Sequence, residues 1–156
     1  MVIPSSVKVI GGYAFYGCKS LASMVVPSNV KVIGRYAFKN CNINELSHPR
    51  LTIKNGVAIK DNKVLYCASQ SPSVTISEVV RKIGDYAFSH CSSLASVVIP
   101  SSVTKIDGYA FCDCESLESV EFGGTVAQWE AVEKEDGWRN CVPSTTVKCS
   151  DGEAWL

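Results

Sequence analysis

Val80-Arg-Lys-Ile-Gly-Asp-Tyr-Ala-Phe-Ser-His-Cys91 is answered 23 residues later by Val103-Thr-Lys-Ile-Asp-Gly-Tyr-Ala-Phe-Cys-Asp-Cys114. The same phrase stands earlier as Val7-Lys-Val-Ile-Gly-Gly-Tyr-Ala-Phe-Tyr-Gly-Cys18 and as Val30-Lys-Val-Ile-Gly-Arg-Tyr-Ala-Phe-Lys-Asn-Cys41. A fixed period of this length marks a stacked array, in which each unit leaves an apolar face that only its neighbours cover. Taking Pro4, Pro27, Pro49, Ser77 and Pro100 as one position gives five coils of 23, 22, 28, 23 and about 23 residues across 1–122.

A short alternating segment precedes each boundary. Leu21-x-x-Met24-x-Val26, Leu94-x-x-Val97-x-Ile99 and Leu117-x-x-Val120-x-Phe122 share one spacing, Ile43-x-x-Leu46-x-His48 follows it, and Val74-x-Ile76 keeps the last two positions. Alternate residues of a strand face opposite ways, so the named residues point inward and those between point out. Val7, Ile10, Ala14, Phe15 and Cys18, with their counterparts, recur at fixed offsets and form interior ladders. Ala-Phe followed by a polar pair predicts one short helical turn, with Gly11, Gly34, Gly84 and Gly108 supplying a sharp bend before it.

The coil 49–76 lacks the Tyr-Ala-Phe phrase. Within it Val57–Lys60 and Lys63–Cys67 flank Asp61-Asn62, which predicts a hairpin projecting from the solenoid. After Phe122 the period stops. Thr125-Val-Ala-Gln128 forms a capping box for a helix from Val126 to Lys134, whose Val126, Trp129 and Val132 would cover the last coil, and Thr145–Cys149 reads as a final strand. The segment 123–156 is thus a C-terminal cap within the same domain.

Fifteen basic and fifteen acidic residues cancel, so no global field recruits nucleic acid or an anionic membrane. No apolar run approaches the roughly 20 residues of a spanning helix, so membrane insertion is not expected. Met1-Val2-Ile3-Pro4 reads as the tail of a repeat and carries neither the charged nor the apolar region of a secretory signal; the expectation is a piece excised from a longer protein.

The pattern Ile-Gly-x-Tyr-Ala-Phe-x-x-Cys-x-x-Leu-x-x-Val-x-Ile-Pro resembles the BspA-type leucine-rich repeats over residues 1–122. Gly123-Gly-Thr-Val-Ala-Gln-Trp129 and Cys149-Ser-Asp-Gly152 are similar to segments that close arrays of this family. The resemblance implies a leucine-rich-repeat solenoid of stacked parallel strands, an extracellular or cell-surface location, and adhesion to host or matrix proteins without catalysis.

The chain's own candidates for chemistry are few. Cys18, Cys41, Cys91 and Cys114 hold one repeat position and read as a ladder of small buried side chains. Cys112-x-Cys114 lacks zinc-knuckle spacing, so no metal is expected, while Cys141 and Cys149 would pair only in an oxidising compartment. A Cys–His nucleophile needs an exposed, activated thiol, and Cys91 beside His90 is expected to face inward. No catalytic residue and no cofactor is expected. Lys8, Lys31, Arg81, Lys82 and Lys105 fall beside the Val-x-x-Ile positions, where a basic strip would chiefly solvate one face, and Tyr13, Tyr36, Tyr86 and Tyr109 read as a packed row with their hydroxyls at the surface. Trp129 and Trp138 read as packing rather than as ligand-stacking surfaces.

The outward strand positions are the candidate ligand face: Val25, Ser47, Thr75, Val98, Glu118 and Glu121, with their small neighbours, would form one continuous surface of the kind solenoids bind with. The reading is a non-catalytic recognition or adhesion module. A spacer segment of a larger surface protein and a glycan-binding C-terminal segment are the alternatives.

Overall fold

The computed structural model describes residues 1–156. The elements follow in the order β1 (Val9–Ile10), β2 (Val32–Ile33), β3 (Leu46–His48), β4 (Leu51–Lys54), β5 (Val57–Lys60), β6 (Lys63–Cys67), β7 (Ser73–Thr75), β8 (Lys82–Ile83), β9 (Ser96–Ile99), β10 (Lys105–Ile106), β11 (Ser119–Phe122), α1 (Val126–Ala131), β12 (Glu133–Lys134), β13 (Thr146–Cys149) and β14 (Gly152–Trp155). They wind into six turns, each contributing one rung to a first column: β1, β2, β6, β8, β10 and β12. The rungs from β6 to β12 are parallel and in register, with Lys63, Lys82, Lys105 and Glu133 opposite one another. A second column stacks β7, β9, β11 and β13 in parallel, and β14 folds back antiparallel on β13.

Alternation explains the second column. Val74, Val97, Val120 and Val147 are buried, while Thr75, Glu121 and Lys148 between them are exposed and Val98 is half-exposed. Each buried valine or larger side chain contributes roughly 1.5–3 kcal/mol, and each finds its like in the next turn. The Phe column works the same way: Phe88 and Phe111 stack with centroids 4.7 Å apart, and Phe15 and Phe38 with centroids 5.5 Å apart.

The corner carrying Tyr-Ala-Phe is not helical. Tyr13, Tyr36, Tyr86 and Tyr109 have φ between 54° and 59°, and the residue four further on is left-handed too: Gly17, Asn40, His90 and Asp113. Left-handed backbone at a bulky residue costs on the order of 1 kcal/mol, and it breaks any helix. Between these points the amides divide their bonds. Ala87, Ser89 and Cys91 donate to Gly84, Tyr86 and Phe88 within the corner, whereas Tyr86, Phe88 and His90 donate to Gly108, Ala110 and Cys112 of the next turn. Every second N–H thus holds the corner and the others hold the stack.

The glycines before the corner do not supply its bend, for none has positive φ. Two of them let neighbouring turns approach: a Cβ on Gly34 would sit 2.3 Å from the Gly12 nitrogen, and one on Gly84 2.6 Å from the Val64 carbonyl oxygen.

The irregular coil holds more than one hairpin, and it does not project. Strands β3, β4, β5 and β6 form an antiparallel meander whose turns lie at Pro49-Arg50, Asn55-Gly56 and Asp61-Asn62. Val57, Ala58 and Ile59 are buried, so the meander is built into the first-column sheet rather than hung from it.

The structural period also outlasts the sequence period. β12 extends the first column and β13 the second, Phe111 and Asp113 donate to the carbonyls of Trp138 and Asn140, and Gly137 and Cys141 take the two left-handed positions. Residues 123–149 are a sixth turn whose side chains have diverged. Helix α1 ends at Ala131 rather than Lys134. The Thr125–Gln128 capping box and Asp151 Oδ1, 2.8 Å from the Val126 nitrogen, satisfy its first amides.

Two apolar cores result. One of 26 buried residues runs from Val57 to Cys149, and one of 15 from Ile3 to Ala68. They meet at the irregular third turn.

Candidate functional site

The second column presents an exposed face. One row runs Thr75, Val98, Glu121, Lys148 and Glu153. Beside it Ser73, Ser96 and Ser119 lie opposite one another, and Thr146 faces Trp155 across the last pair. Glu118, just before β11, is exposed. Val25 and Ser47 are exposed as well, but neither pairs with a strand of this sheet. Val25 pairs with Val2 in an isolated bridge, and Ser47 lies on β3, which belongs to the first-column sheet. Trp155, 79% exposed at the edge of the face, was not singled out by the repeat pattern because it lies beyond it. Trp129, by contrast, is buried, donates Nε1 to the Trp155 carbonyl at 3.2 Å and packs on Phe122 and Trp138.

The expected basic strip does not form. Lys82 and Lys105 lie in the rung register, whereas Lys8, Lys31 and Arg81 stand one residue before it. Asp107, with a side chain only 3% exposed, meets Lys82 at 2.8 Å and Lys63 at 3.0 Å. Burial pushes its carboxyl pKa up, but the two ammonium groups outweigh that and hold it below the ordinary range. Lys105 pairs with Glu133 at 2.6 Å and Glu135 at 2.8 Å, which raises its pKa. Within the column, then, these lysines are neutralised locally.

Cys41, Cys91 and Cys114 are buried as a ladder, and all eight cysteines are free thiols. Cys41 Sγ donates to the Phe15 carbonyl at 2.9 Å and Cys114 Sγ to that of Phe88 at 3.1 Å. Desolvation pushes Cys41 up to about 11 and Cys114 up to about 12. Cys18 departs from the ladder: it is exposed. Cys141 is exposed beside Asp113, while Cys149 is buried in the core. His90 is exposed, 3.5 Å from Asp113, while Cys91 is buried. His48 accepts from the Arg50 amide at Nδ1 (3.1 Å), so its protonated Nε2 donates to the Pro27 carbonyl (3.1 Å) and pins the β3–β4 turn.

Lys39 is the least expected residue. Only 5% exposed, it reaches from the second turn past the third to the fourth, donating to the Tyr86 carbonyl (2.9 Å) and Ser89 Oγ (3.0 Å). The third turn lacks the Tyr-Ala-Phe corner, and the lysine fills that gap.

The repeat profile described as BspA type leucine rich repeat region matches residues 1–118 in six copies. The chain belongs to that family. Among solved structures, this BspA-type chain is similar to a leucine rich cell surface protein of Faecalibacterium prausnitzii A2-165: 33% identity over 85% of this chain and 34% of that one, TM-score 0.55. It shares its fold with the pneumococcal vaccine antigen PcpA: 16% identity over 94% of this chain and 44% of that one, TM-score 0.53. The BspA-type chain thus spans about a third to a half of these proteins. No curated protein matches it.

Proposed function

We infer that this chain is a non-catalytic recognition module of a bacterial cell-surface protein, docking a host or matrix protein on the outward face of its second column. The observation that carries the reading is the outward row Thr75, Val98, Glu121, Lys148 and Glu153, flanked by serines and ended by Trp155. Small side chains keep the face flat, the alternating charges give it register, and tryptophan is among the residue types enriched as interface anchors. The family membership and the cell-surface description of the Faecalibacterium protein support the location.

The test is an array of immobilised host and matrix proteins probed with the chain. Binding to at least one of them, weakened about tenfold or more by Val98→Arg, Glu121→Lys or Trp155→Ala with the fold intact, is expected. A chain inert on the array, or one indifferent to all three changes, would make it a spacer.

A further inference from the structure

The first column is interrupted once. β2 pairs with β1 on one side and with no strand on the other, whereas the next rung, β6, already has β5 and β8 as neighbours. The two turns rejoin only beyond the corner, where the Asn40 amide donates to the Cys67 carbonyl at 3.2 Å. Between them lies a cleft of about 490 Å³, walled by Lys31–Tyr36 on one side and by Lys63–Tyr66 with Gly84 and Asp85 on the other, with Arg50, Leu51 and Lys60 completing it.

The backbone at this opening is specific. In the closed part of the column the carbonyls of Arg81 and Ile83 accept the amides of Thr104 and Asp107. The equivalent carbonyls at the open edge are those of Lys31 and Ile33. Because the Val32 and Gly34 amides turn to the Lys8 and Ile10 carbonyls of the first turn, alternation turns the Ile33 N–H between them the other way, into the cleft. Two acceptors and one donor therefore stand at strand spacing with no strand opposite.

The charge is specific too. Residues 1–66 hold nine Lys/Arg and two Asp/Glu, a balance of +7, while residues 67–156 hold six and thirteen, a balance of −7. In the cleft Lys31, Arg35, Arg50 and Lys60 form no ion pair, and Asp85 is the one acidic residue lining it.

We propose that this cleft binds an acidic polypeptide segment in extended conformation, which adds to β2 as the missing rung. Its amides would donate to the Lys31 and Ile33 carbonyls and one of its carbonyls would accept from Ile33, while carboxylates on alternate residues meet Lys31, Arg35, Arg50 and Lys60. A free strand edge selects a polypeptide, since the donors and the acceptor must come at the spacing of a backbone. The basic lining selects the acidic sequence. This site is separate from the second-column face and uses none of its residues.

The test is fluorescence anisotropy of the full chain with a labelled Glu-Val-Asp-Val-Glu-Val peptide. A peptide of the same sequence N-methylated at alternate residues and a heparin-derived oligosaccharide serve as competitors. Binding is expected to weaken tenfold or more with Arg50→Glu, Lys31→Glu or Lys60→Glu, each checked for an unchanged thermal midpoint. The N-methylated peptide should compete at least tenfold more weakly than the parent, and Val98→Arg or Glu121→Lys should change nothing. Absence of binding would overturn the proposal. So would equal competition by the N-methylated peptide, indifference to the cleft substitutions, or an oligosaccharide that binds the cleft where the peptide does not.

Discussion

The two halves of this chain are written in one repeat yet behave differently. In the turns after the irregular coil, the rung column is continuous, its lysines are matched by Asp107, Glu133 and Glu135, and the side chains pack into the 26-residue core that begins within that coil at Val57. In the turns before it, the rung residues are Val9 and Val32, no ion pair forms, the side chains share the smaller, 15-residue core with the irregular coil, and the seam facing the third turn stands open. The ladder residues, which repeat, fix the winding. The residues that do not repeat decide which seams close and which stay available.

Core substitutions give the largest effect. Phe88→Ala, in the buried stack with Phe111, should cost about 3–5 kcal/mol by chemical denaturation, whereas Phe15→Ala, only half-buried at the edge of the smaller core, should cost distinctly less. Equal losses would mean that the two cores are equivalent.

Next is Asp107→Asn. It leaves Lys63 and Lys82, each about a third exposed, without their counter-charge and should cost about 1 kcal/mol at neutral pH, with the loss shrinking in acid as the wild-type carboxylate is itself protonated. A change that cost nothing would show that the closed seam owes nothing to this ion cluster.

Lys39 and Cys41 should separate in alkali. Burial lowers the Lys39 pKa, opposed by nearby thiols, so in the window below the ordinary value of 10.5 the unfolded chain binds the extra proton. Stability should therefore rise with pH there relative to Lys39→Met. Cys41 behaves oppositely. Its folded value of about 11 exceeds the ordinary 9.0, so the native state retains the proton that the unfolded chain loses. Stability should fall between pH 9 and 11 relative to Cys41→Ala. Denaturation midpoints across pH 8–11 distinguish the two signs.

Much of this was legible in the residues, and the omissions have physical causes. Ladders of Val, Phe and Cys show which side chains are buried, because burial demands the same letter at the same offset in every turn. The corner misleads, since Ala-Phe beside polar residues has the local composition of a helix, and only the bonds to the next turn force Tyr and its follower into left-handed backbone. The sixth turn is invisible as a repeat because backbone pairing holds it while its side chains differ. A whole-chain charge of zero hides the opposed halves, which a count taken on each side of the irregular coil reveals. For the outward residues, alternation gives exposure but not neighbourhood. Thr75, Val98 and Glu121 share a row, while Ser47 is carried into the other sheet by the meander.

Residue-resolved amide hydrogen exchange tests the central claim, a single in-register column of rungs broken once, most directly. The amides of Thr104, Asp107 and Phe88, bonded across closed turns, should exchange only through the largest openings, whereas the Ile33 amide at the open edge should exchange about a hundredfold faster or more. Equal protection of Ile33 and Asp107, or a continuous run of protected i to i−4 amides through Tyr86–Cys91, would contradict it.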